Sequence, residues 1–290
     1  MSQINVNVIA PVGYTGTQVG INNYVQIVDD NGGTVSLISP SDNYIAIGGN
    51  NSTVVNGCIK IGNNAGVSIS ANVNGGCIAI GESALSNSSD AGNNLAVGNS
   101  ALDSVNGTSG NSNIAIGTGA GGSLTTGSQN TILGHGAGLA VIPLTTGSNN
   151  TIIGHQAYPA GVNSNNSVTL GNASITTLRC AVTSITSLSD ARDKKDVAPI
   201  ELGLDFVKEL NPVKFVWNDR DESGKHDVAD SGFIAQDLKS LEDKYNASEV
   251  LKLVYDENPE KLEASYGRLV PVLVQAIKDL AAKVEQLENK

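Results

Sequence analysis

A short apolar unit recurs between residues 41 and 175 and is the dominant hydrophobic pattern of the chain. Each unit has three strand-forming residues followed by a glycine, and successive glycines stand 14 to 20 residues apart. Repeats of this length predict a solenoid, because one unit buries its apolar face only by stacking on its neighbours. The eight units occupy residues 45–48, 59–62, 78–81, 95–98, 114–117, 131–134, 151–154 and 168–171.

The glycine and alanine positions indicate how closely the units pack. A glycine after the strand permits a positive φ or a close approach of two backbones. Alanine alternates with β-branched residues in several strands, and another alanine follows most of the glycines after three residues. Since each unit offers too little apolar surface for a core of its own, we expect a narrow core shared by several chains around an axis. The alanines after the glycines are Ala65, Ala84, Ala101, Ala120, Ala137 and Ala157.

Weaker β patterns flank the repeats. Residues 4–8, 25–28 and 34–38 favour short strands, and the Asp-Asp-Asn-Gly-Gly sequence at 29–33 predicts a hairpin between the last two. We therefore expect residues 1–40 to form a small β module that attaches the shaft to another component. Residues 172–188 keep β character without the repeat glycine, which indicates the distal end of the shaft.

After residue 188 the pattern becomes α+β. A short helix is predicted at 202–210 and ends before Pro212, because proline disfavours a helical residue in front of it. Strands are predicted at 213–217, from 231 onward with a change to helix by 238, and at 250–255. A long helix follows residue 271, and its heptad seam predicts packing on its own domain and on two partner copies. The seam residues are Leu273, Ile277, Leu280, Val284 and Leu287.

Composition divides the 290-residue chain at the same place. Only eight charged side chains precede residue 189, whereas the last 102 residues carry 37. The net charge of −11 argues against nucleic acid or an anionic membrane surface as a partner. We recognise no signal peptide, membrane span or disulfide framework, so we expect a protein that is made in a cytoplasm and kept there or released by lysis.

Three sets of shaft residues have both a possible functional role and a purely structural explanation. His135 and His155 directly follow a repeat glycine, so copies from three chains would be placed to bind a metal ion on an axis, although a solvated turn is favoured. Cys58 and Cys77 stand four residues before the glycine, where buried thiols are favoured over a cross-link. Other units have asparagine there, which predicts either a side-chain ladder or the start of a strand. These are Asn94, Asn113, Asn130 and Asn150.

The glycine-punctuated units resemble the head repeats of trimeric autotransporter adhesins and similar repeats in viral fibres. The resemblance covers the repeat region between residues 41 and 175. It implies a homotrimeric β-roll or β-helix shaft. The membrane anchor of such adhesins is not recognised in this sequence.

Four pieces of the last 102 residues resemble, in the same order, the intramolecular chaperone domain at the end of phage endosialidases, tailspikes and tail fibres. The same domain forms a self-cleaving peptidase family with a Ser-Lys dyad. The pieces are Ser189-Asp190 with Lys194, Asn211-Pro-Val-Lys-Phe215, Gly232-Phe-Ile-Ala-Gln-Asp237 and Tyr266-Gly-Arg-Leu-Val-Pro271.

This resemblance implies that Ser189 and Lys194 are the catalytic residues. Ser189 Oγ would attack the carbonyl of Leu188, so the bond that is cut joins Leu188 to Ser189. Lys194 would act as the general base, which requires a neutral amine and hence burial or nearby positive charge, with Arg192 and Lys195 as candidate sources. No cofactor and no metal ion are implied.

The same residues have a structural interpretation that does not involve catalysis. Ser189-Asp190 in front of a charged segment is a common way to begin a helix. The spacing of five residues between Ser189 and Lys194 does not put both side chains on one face of a helix. We therefore expect the pair on a loop or a turn.

These patterns predict a mostly β protein with a trimeric β-roll or β-helix shaft and a small α+β chaperone domain that ends in a long, coiled-coil-like helix. The predicted divisions are residues 1–40, 41–188 and 189–290. The favoured function is a homotrimeric phage tail fibre that attaches to the host and is located in the virion after assembly in the host cytoplasm. Its expected partners are a baseplate or other tail protein, through the N-terminal region, and a host receptor, with a glycan favoured.

Two alternatives remain open: a cellular trimeric adhesin, and a fibre whose chaperone domain is retained as a non-cleaving clamp. A glycan-cleaving spike is disfavoured, because residues 43–188 contain only the scattered acids Glu82, Asp90 and Asp103. A membrane-tethered transcription factor is disfavoured, because no basic region or membrane span is recognised. Any enzyme activity is expected to be one self-cleavage per chain, with no external substrate.

Overall fold

The computed structural model describes residues 58–69, 76–89, 92–106, 109–181, 184–218 and 227–290, and the backbone of three short strands before residue 48. The chain divides into two compact units, Met1–Leu170 and Gly171–Lys290. Each unit has its own cluster of buried apolar side chains. The division into residues 1–40, 41–188 and 189–290 stays a prediction.

A β-hairpin precedes the repeats. Strands β1 (Val25–Val28) and β2 (Thr34–Leu37) pair in antiparallel fashion, with Val28 opposite Thr34. The predicted hairpin is therefore confirmed. The strand predicted at 4–8 lies outside the described residues, and the attachment role of residues 1–40 stays a prediction.

The repeats form a parallel β-solenoid, as predicted. Eight three-residue strands build one sheet in which each strand pairs in register with the next, so that Ile114 lies opposite Thr131 and Ile116 opposite Leu133. We call one strand with the turn that follows it a rung. The strands are β3 (Ile45–Ile47), β4 (Ile59–Ile61), β5 (Ile78–Ile80), β6 (Leu95–Val97), β7 (Ile114–Ile116), β8 (Thr131–Leu133), β9 (Thr151–Ile153) and β10 (Val168–Leu170).

The glycine after each strand is required for two reasons, which Gly117 illustrates. Its φ is +135°, a region that side chains with a Cβ rarely adopt. A Cβ at this position would also lie 2.5 Å from the carbonyl carbon and oxygen of Gly134 on the next rung. Both predicted reasons, positive φ and close backbone approach, are therefore confirmed.

The rungs that begin with β4 to β9 close on a core within a single chain. The middle residue of the strand points inward, as Ala96 and Ala115 do, and the alanines three residues after glycine are also fully buried. The expectation that a unit has too little apolar surface for its own core is wrong here. Alanine lets opposite walls of the coil approach, and one or two larger apolar side chains on these rungs, such as Leu102 and Leu124, fill the remaining space.

The residues on either side of the strand centre point outward and form two parallel columns, the first mostly and the second entirely apolar. Ile116 is 38% exposed and Leu133 is 43% exposed, although both lie in the middle of the sheet. These columns leave apolar surface outside the core of the single chain. The first column consists of Ile59, Ile78, Leu95, Ile114, Thr131, Thr151 and Val168, and the second of Ile61, Ile80, Val97, Ile116, Leu133, Ile153 and Leu170.

A buried asparagine ladder runs along the solenoid. Asn130 Oδ1 accepts hydrogen bonds from the backbone N–H and the Nδ2 of Asn150, both at 3.0 Å. Asn130 Nδ2 donates to Asn113 Oδ1 at 3.0 Å and to the Gly147 carbonyl at 2.9 Å. Asn113 is bonded to Asn94 in the same way. Of the two alternatives for these positions, the side-chain ladder is the one that forms.

The second unit is a small α/β region with a long C-terminal helix. Its core includes Phe206, Leu238, Leu253 and Val272. The strand pairs β11–β12 and β13–β14 are both antiparallel. The elements are α1 (Leu204–Glu209), β11 (Val213–Val216), β12 (Ala229–Gly232), α2 (Ala235–Lys244), α3 (Ser248–Leu251), β13 (Val254–Tyr255), β14 (Glu263–Ala264) and α4 (Val270–Glu288), with 3-10 turns at Ala191–Asp193 and Tyr266–Leu269.

Most of the elements predicted for this unit are present, with two corrections. The strand predicted at 250–255 is wrong in its first half, because Ser248–Leu251 forms a helical turn that ends at Lys252, whose φ is +49°. Only Val254–Tyr255 pairs, with Glu263–Ala264. Among the described residues between 172 and 188 no strand forms, so the predicted β character of this segment is wrong there.

The predicted heptad seam of α4 lies on the exposed side of that helix. Val272 and Ala276 are buried in the unit's own core, whereas Ile277 is 67% exposed and the other seam residues are also exposed. In the single chain the described residues of the same domain therefore leave the seam largely exposed.

Candidate active site

A tight turn separates Ser189 from Lys194. Residues Ala191–Asp193 form a 3-10 turn, and the carboxylate of Asp190 caps it by accepting a hydrogen bond from the backbone N–H of Arg192 at 2.9 Å. Asp190 and Lys194 on either side have extended backbone angles. The helix-start interpretation is thus correct for Asp190, and the resulting turn places the side chain of Lys194 next to Ser189.

The two predicted catalytic side chains are in direct contact. Lys194 Nζ donates a hydrogen bond to Ser189 Oγ at 2.6 Å and a second to the Ser189 carbonyl oxygen at 3.0 Å. This is within the reach that a nucleophile and its general base require. The pair sits across a turn, as the five-residue spacing predicts.

The bond in front of Ser189 is open to solvent in the single chain. Leu188 is 100% exposed, and residues 184–199 are all exposed. A substrate bond in an extended, uncovered segment can be reached without unfolding. The same exposure means that water surrounds Lys194.

The charge of Arg192 is directed toward Asp190 and not toward Lys194. Arg192 Nη2 lies 2.6 Å from Asp190 Oδ2. The hydrogen bonds from the Arg192 side chain and backbone hold the pKa of Asp190 below its ordinary value. Of the two cations that the sequence suggests as neighbours of the base, Lys195 remains as the candidate.

The chaperone-like sequence pieces meet around Gly232. Val213 pairs with Gly232 across the β11–β12 hairpin. A Cβ at Gly232 would lie 2.8 Å from Tyr266 Oη. That hydroxyl accepts a hydrogen bond from Phe233 N at 3.1 Å and donates one to Phe233 O at 3.2 Å. The sequence analysis quoted these pieces separately, and the role of Tyr266 as their junction was missed because it depends on tertiary packing.

The two shaft histidines lie side by side on successive rungs. The rings of His135 and His155 stack with centroids 5.3 Å apart, and both side chains are exposed. Within the described ranges, no group of three or more His, Cys, Asp or Glu side chains is arranged to hold a metal ion. In the same part of the chain, no helix is long and apolar enough to cross a membrane.

A comparison with known protein families matches part of the second unit. Residues 189–245 match the model of the family Peptidase S74, described as the chaperone of endosialidase. The match begins at Ser189 and includes Lys194 and two of the later sequence pieces. No curated protein and no solved structure matches the chain. The C-terminal region therefore carries an intramolecular chaperone of endosialidase type, as its motifs predict.

Proposed function

From the endosialidase-type chaperone at residues 189–245 as the premise, we propose that this protein is a phage tail fibre whose C-terminal domain assembles three chains and then cuts itself away in front of Ser189. In this proposal the solenoid is the shaft that contacts the host surface. Residues 1–40 attach the shaft to a baseplate or another tail protein, and the mature protein is located in the virion.

The observation that carries the self-cleavage part is the 2.6 Å contact between Lys194 Nζ and Ser189 Oγ. A neutral amine at this distance is placed to accept the hydroxyl proton. The contact lies at the first residue of the family match, which supports a role in the domain's own chemistry and not in the shaft.

The proposed reaction uses only groups of this chain and one water molecule. Ser189 Oγ attacks the carbonyl carbon of Leu188 while Lys194 takes the hydroxyl proton. The amide bond breaks, Lys194 returns the proton to the nitrogen of Ser189, and Leu188 is left as an ester of the serine hydroxyl. Water hydrolyses this ester, which gives a carboxylate on Leu188 and a free amine on Ser189.

We expect assembly to precede cleavage. Water stabilises the charged form of an amine, and Lys194 is exposed in the single chain. Partner chains that cover residues 184–199 would remove this water and favour the neutral base. The exposed apolar side chains of the same segment, Ile185 and Leu188, support such a cover.

Two apolar surfaces support self-association. The seam of α4 presents Leu273, Ile277 and Leu280 to solvent at heptad spacing, which suits a bundle of three helices. The outward columns of the solenoid add a second apolar surface, in which Ile116 and Leu133 are representative. A monomer seldom exposes apolar surface in continuous rows.

A C-terminal trimerising domain that is later removed would solve a physical problem in the assembly of repetitive shafts. Similar rungs allow chains to pair out of register, and non-local pairing between chains is slow. A terminal trimerising domain holds the chains at high local concentration and in alignment. Its removal leaves a shaft that cannot easily dissociate and re-form, so the product is kinetically stable.

The polar corners of the shaft support a glycan as the host ligand. Thr145 and Thr146 on one rung both donate through their hydroxyl groups to Asn163 Oδ1 on the next. Such aligned, exposed hydroxyl and amide groups offer the donors and acceptors that a sugar requires. No single residue is assigned to the receptor here.

The test is a denaturing gel and the intact mass of freshly expressed full-length protein. We expect the wild type to yield fragments 1–188 and 189–290. Ser189→Ala should stay whole, and Lys194→Ala should cleave about 10²- to 10⁴-fold more slowly, the usual contribution of a general base.

Two other residues provide matched controls. Ser187→Ala removes another exposed serine two residues away, and Lys278→Ala removes an exposed lysine of α4, so both should cleave like the wild type. A wild type that forms trimers but remains whole would refute the self-cleavage and leave the chaperone as a retained clamp. Equal loss of cleavage in Ser187→Ala would show that the dyad assignment is wrong.

A further inference from the structure

Cys58 and Cys77 occupy the asparagine column of the solenoid on two successive rungs. Each directly precedes its strand, and Ile59 pairs with Ile78, so the two cysteines are in register. The backbone N–H of Cys77 donates to Cys58 Sγ at 3.2 Å, and the Cys77 thiol also hydrogen-bonds to that sulfur. Both side chains are 0% exposed, and neither is in a disulfide.

The separation of the two rungs suits a covalent link between these residues. Neighbouring strands lie about 4.8 Å apart. Disulfides form between Cα atoms that are about 4.4 to 6.8 Å apart. The expected Cα separation of in-register residues on adjacent rungs therefore lies within the range of disulfides.

Lys60 brings a positive charge into the same interior. It is the middle residue of β4 and points into the coil, where the next two rungs have Ala79 and Ala96. Its side chain is fully buried, and Nζ donates to the Gly66 carbonyl at 2.8 Å. A buried ammonium group is costly unless a negative charge compensates it. Burial lowers the pKa of Lys60, and the negative charge of a Cys58 thiolate, two residues earlier on the same face, opposes this effect.

The two thiols differ in acidity. The pKa of Cys58 is lowered to about 7, first because the Cys77 thiol donates a hydrogen bond to its sulfur, and further by the Cys77 N–H and the charge of Lys60, against the opposing effect of burial. The hydrogen bond to Cys58 and burial raise the pKa of Cys77. One sulfur is therefore a nucleophile near neutral pH, and the other keeps its proton beside it.

We propose that Cys58 and Cys77 are a redox modification site, at which a hydroperoxide oxidises Cys58 and a Cys58–Cys77 disulfide then joins the two rungs. The site lies in the shaft interior and is independent of the chemistry at Ser189. It concerns the durability of the shaft, not its assembly.

The reaction balances with hydrogen peroxide as the oxidant. The Cys58 thiolate attacks one oxygen of the peroxide, the O–O bond breaks, and the departing hydroxide takes a proton to become water. The sulfur of Cys77 then attacks the sulfur of the Cys58 sulfenic acid, loses its proton and displaces a second water. Two thiols and one hydrogen peroxide thus give one disulfide and two water molecules.

Burial determines which oxidants can reach the site. Because both thiols are fully buried, we expect a hydroperoxide close to the size of water to reach them during small local opening motions, and a bulky disulfide reagent to be excluded. Cys180, in contrast, is exposed and accessible to both kinds of reagent. The chain therefore contains an internal comparison between a buried dithiol and an accessible thiol.

The experiment uses the full-length chain with Cys180→Ser, treated with hydrogen peroxide under native conditions and then denatured and alkylated. We expect the intact mass to fall by two hydrogen atoms and peptide mapping to recover Cys58 linked to Cys77. The oxidised protein should unfold at a temperature about 5 °C higher than the reduced protein, because the link constrains the unfolded chain.

Two variants make the result specific. The double substitution Cys58→Asn and Cys77→Asn continues the asparagine column of the later rungs, so it should fold but show neither the mass change nor the thermal shift. Lys60→Met keeps most of the bulk without the charge and should oxidise several-fold more slowly, because the thiolate loses its cation.

Other outcomes would overturn the proposal. One is that Cys58 and Cys77 stay reduced at a peroxide concentration that oxidises Cys180 in the wild type. The other is that Cys58 forms higher oxides and no disulfide. An unchanged oxidation rate in Lys60→Met would show that the charge of Lys60 does not promote the oxidation of Cys58.

Discussion

Among single residues, the buried asparagines of the shaft continue the backbone hydrogen bonding from rung to rung. Asn130 makes four such bonds although its side chain is 1% exposed. A buried polar group is stabilising only when its donors and acceptors are satisfied, and here the next rung satisfies them. Each asparagine therefore depends on its neighbours in the column.

We predict that Asn130→Leu destabilises the shaft by about 3 to 5 kcal/mol, since it leaves several buried partners, including Asn150 N and the Gly147 carbonyl, without a hydrogen bond. Thermal unfolding followed by circular dichroism measures the effect, and we expect the midpoint to fall by about 10 °C. Asn106→Leu, at an exposed asparagine of the same unit, is the control and should shift the midpoint little. Equal shifts in the two variants would contradict a special role for the ladder.

The sequence predicted some of these residue roles and left others undetected. The asparagine column was visible from its constant offset to the glycine, but a ladder and a strand start have the same sequence signature. Lys60 was undetected because a single lysine among apolar neighbours is normally an exposed residue. Its inward direction follows from its place at the strand centre, where other rungs have alanine, and this comparison is the signal that would have found it.

At the scale of elements, the second unit depends on a contact between α1 and α4. The carboxylate of Asp279 on α4 accepts a hydrogen bond from Leu204 N at the start of α1 at 2.9 Å and another from Gln275 Nε2 at 2.8 Å. These bonds lower the pKa of Asp279, the backbone bond having the larger effect. Gly203 leaves room for this contact, because a Cβ there would lie 2.1 Å from Asp279 Oδ2.

We predict a pH-dependent loss of stability from this contact. A carboxyl group whose pKa is lowered by folding stabilises the folded state above its unfolded pKa of about 3.9, and this contribution is lost as pH falls through the lower folded value. Asp279→Asn should therefore unfold at a lower temperature than the wild type at pH 7, and the difference should shrink at pH 3.

Asp205→Asn is the matched control for this prediction. Asp205 lies on α1 and forms an exposed pair with Lys208 at 3.6 Å, a kind of contact that contributes little. It should change the unfolding temperature little at either pH. An Asp279→Asn effect that is the same at pH 7 and pH 3 would show that the charge of Asp279 is not involved.

The elements were predicted well where local chemistry determines them and poorly where packing does. The strands of the shaft end at glycines whose backbone angles few other residues adopt, and α1 ends before Asn211-Pro212, so both boundaries were visible in the sequence. The helical turn at Ser248–Leu251 was not predicted, because Val250 and Leu251 suit a strand equally well. The Ser189–Lys194 pair was found from motif order, and a helix start at Ser189-Asp190 was also visible in the sequence, whereas the contact between the two side chains across the turn needed the structure.

At the scale of the whole molecule, the two proposed self-association surfaces belong to different stages. The α4 seam lies in the chaperone region, and the outward columns lie in the shaft, so their loss should have different effects. Under the proposed function, the first is needed for chains to meet and the second for the finished shaft to hold together.

We predict that Ile277→Asp in the full-length chain abolishes trimers, as measured by light scattering after size-exclusion chromatography. Ile116→Asp should still form trimers but yield a shaft that protease digests at least about tenfold faster, because an apolar contact between chains has been replaced by a charge. The controls are Lys278→Asp on α4 and Thr126→Asp at an exposed corner, which should behave like the wild type. If Ile277→Asp still forms trimers, the α4 seam is not the surface through which the chains associate.

The in-register stacking of the shaft also bears on how its length is inherited. Each rung presents the next with a three-residue strand and usually an asparagine acceptor, so a rung can be gained or lost without remaking the contacts on either side. The segments 125–134 and 145–154 differ at only two of ten positions, which makes the corresponding stretches of a gene prone to misalign during recombination. The length of the shaft would then change by whole rungs. A lineage could lengthen or shorten its shaft in this way without altering the residues at either end.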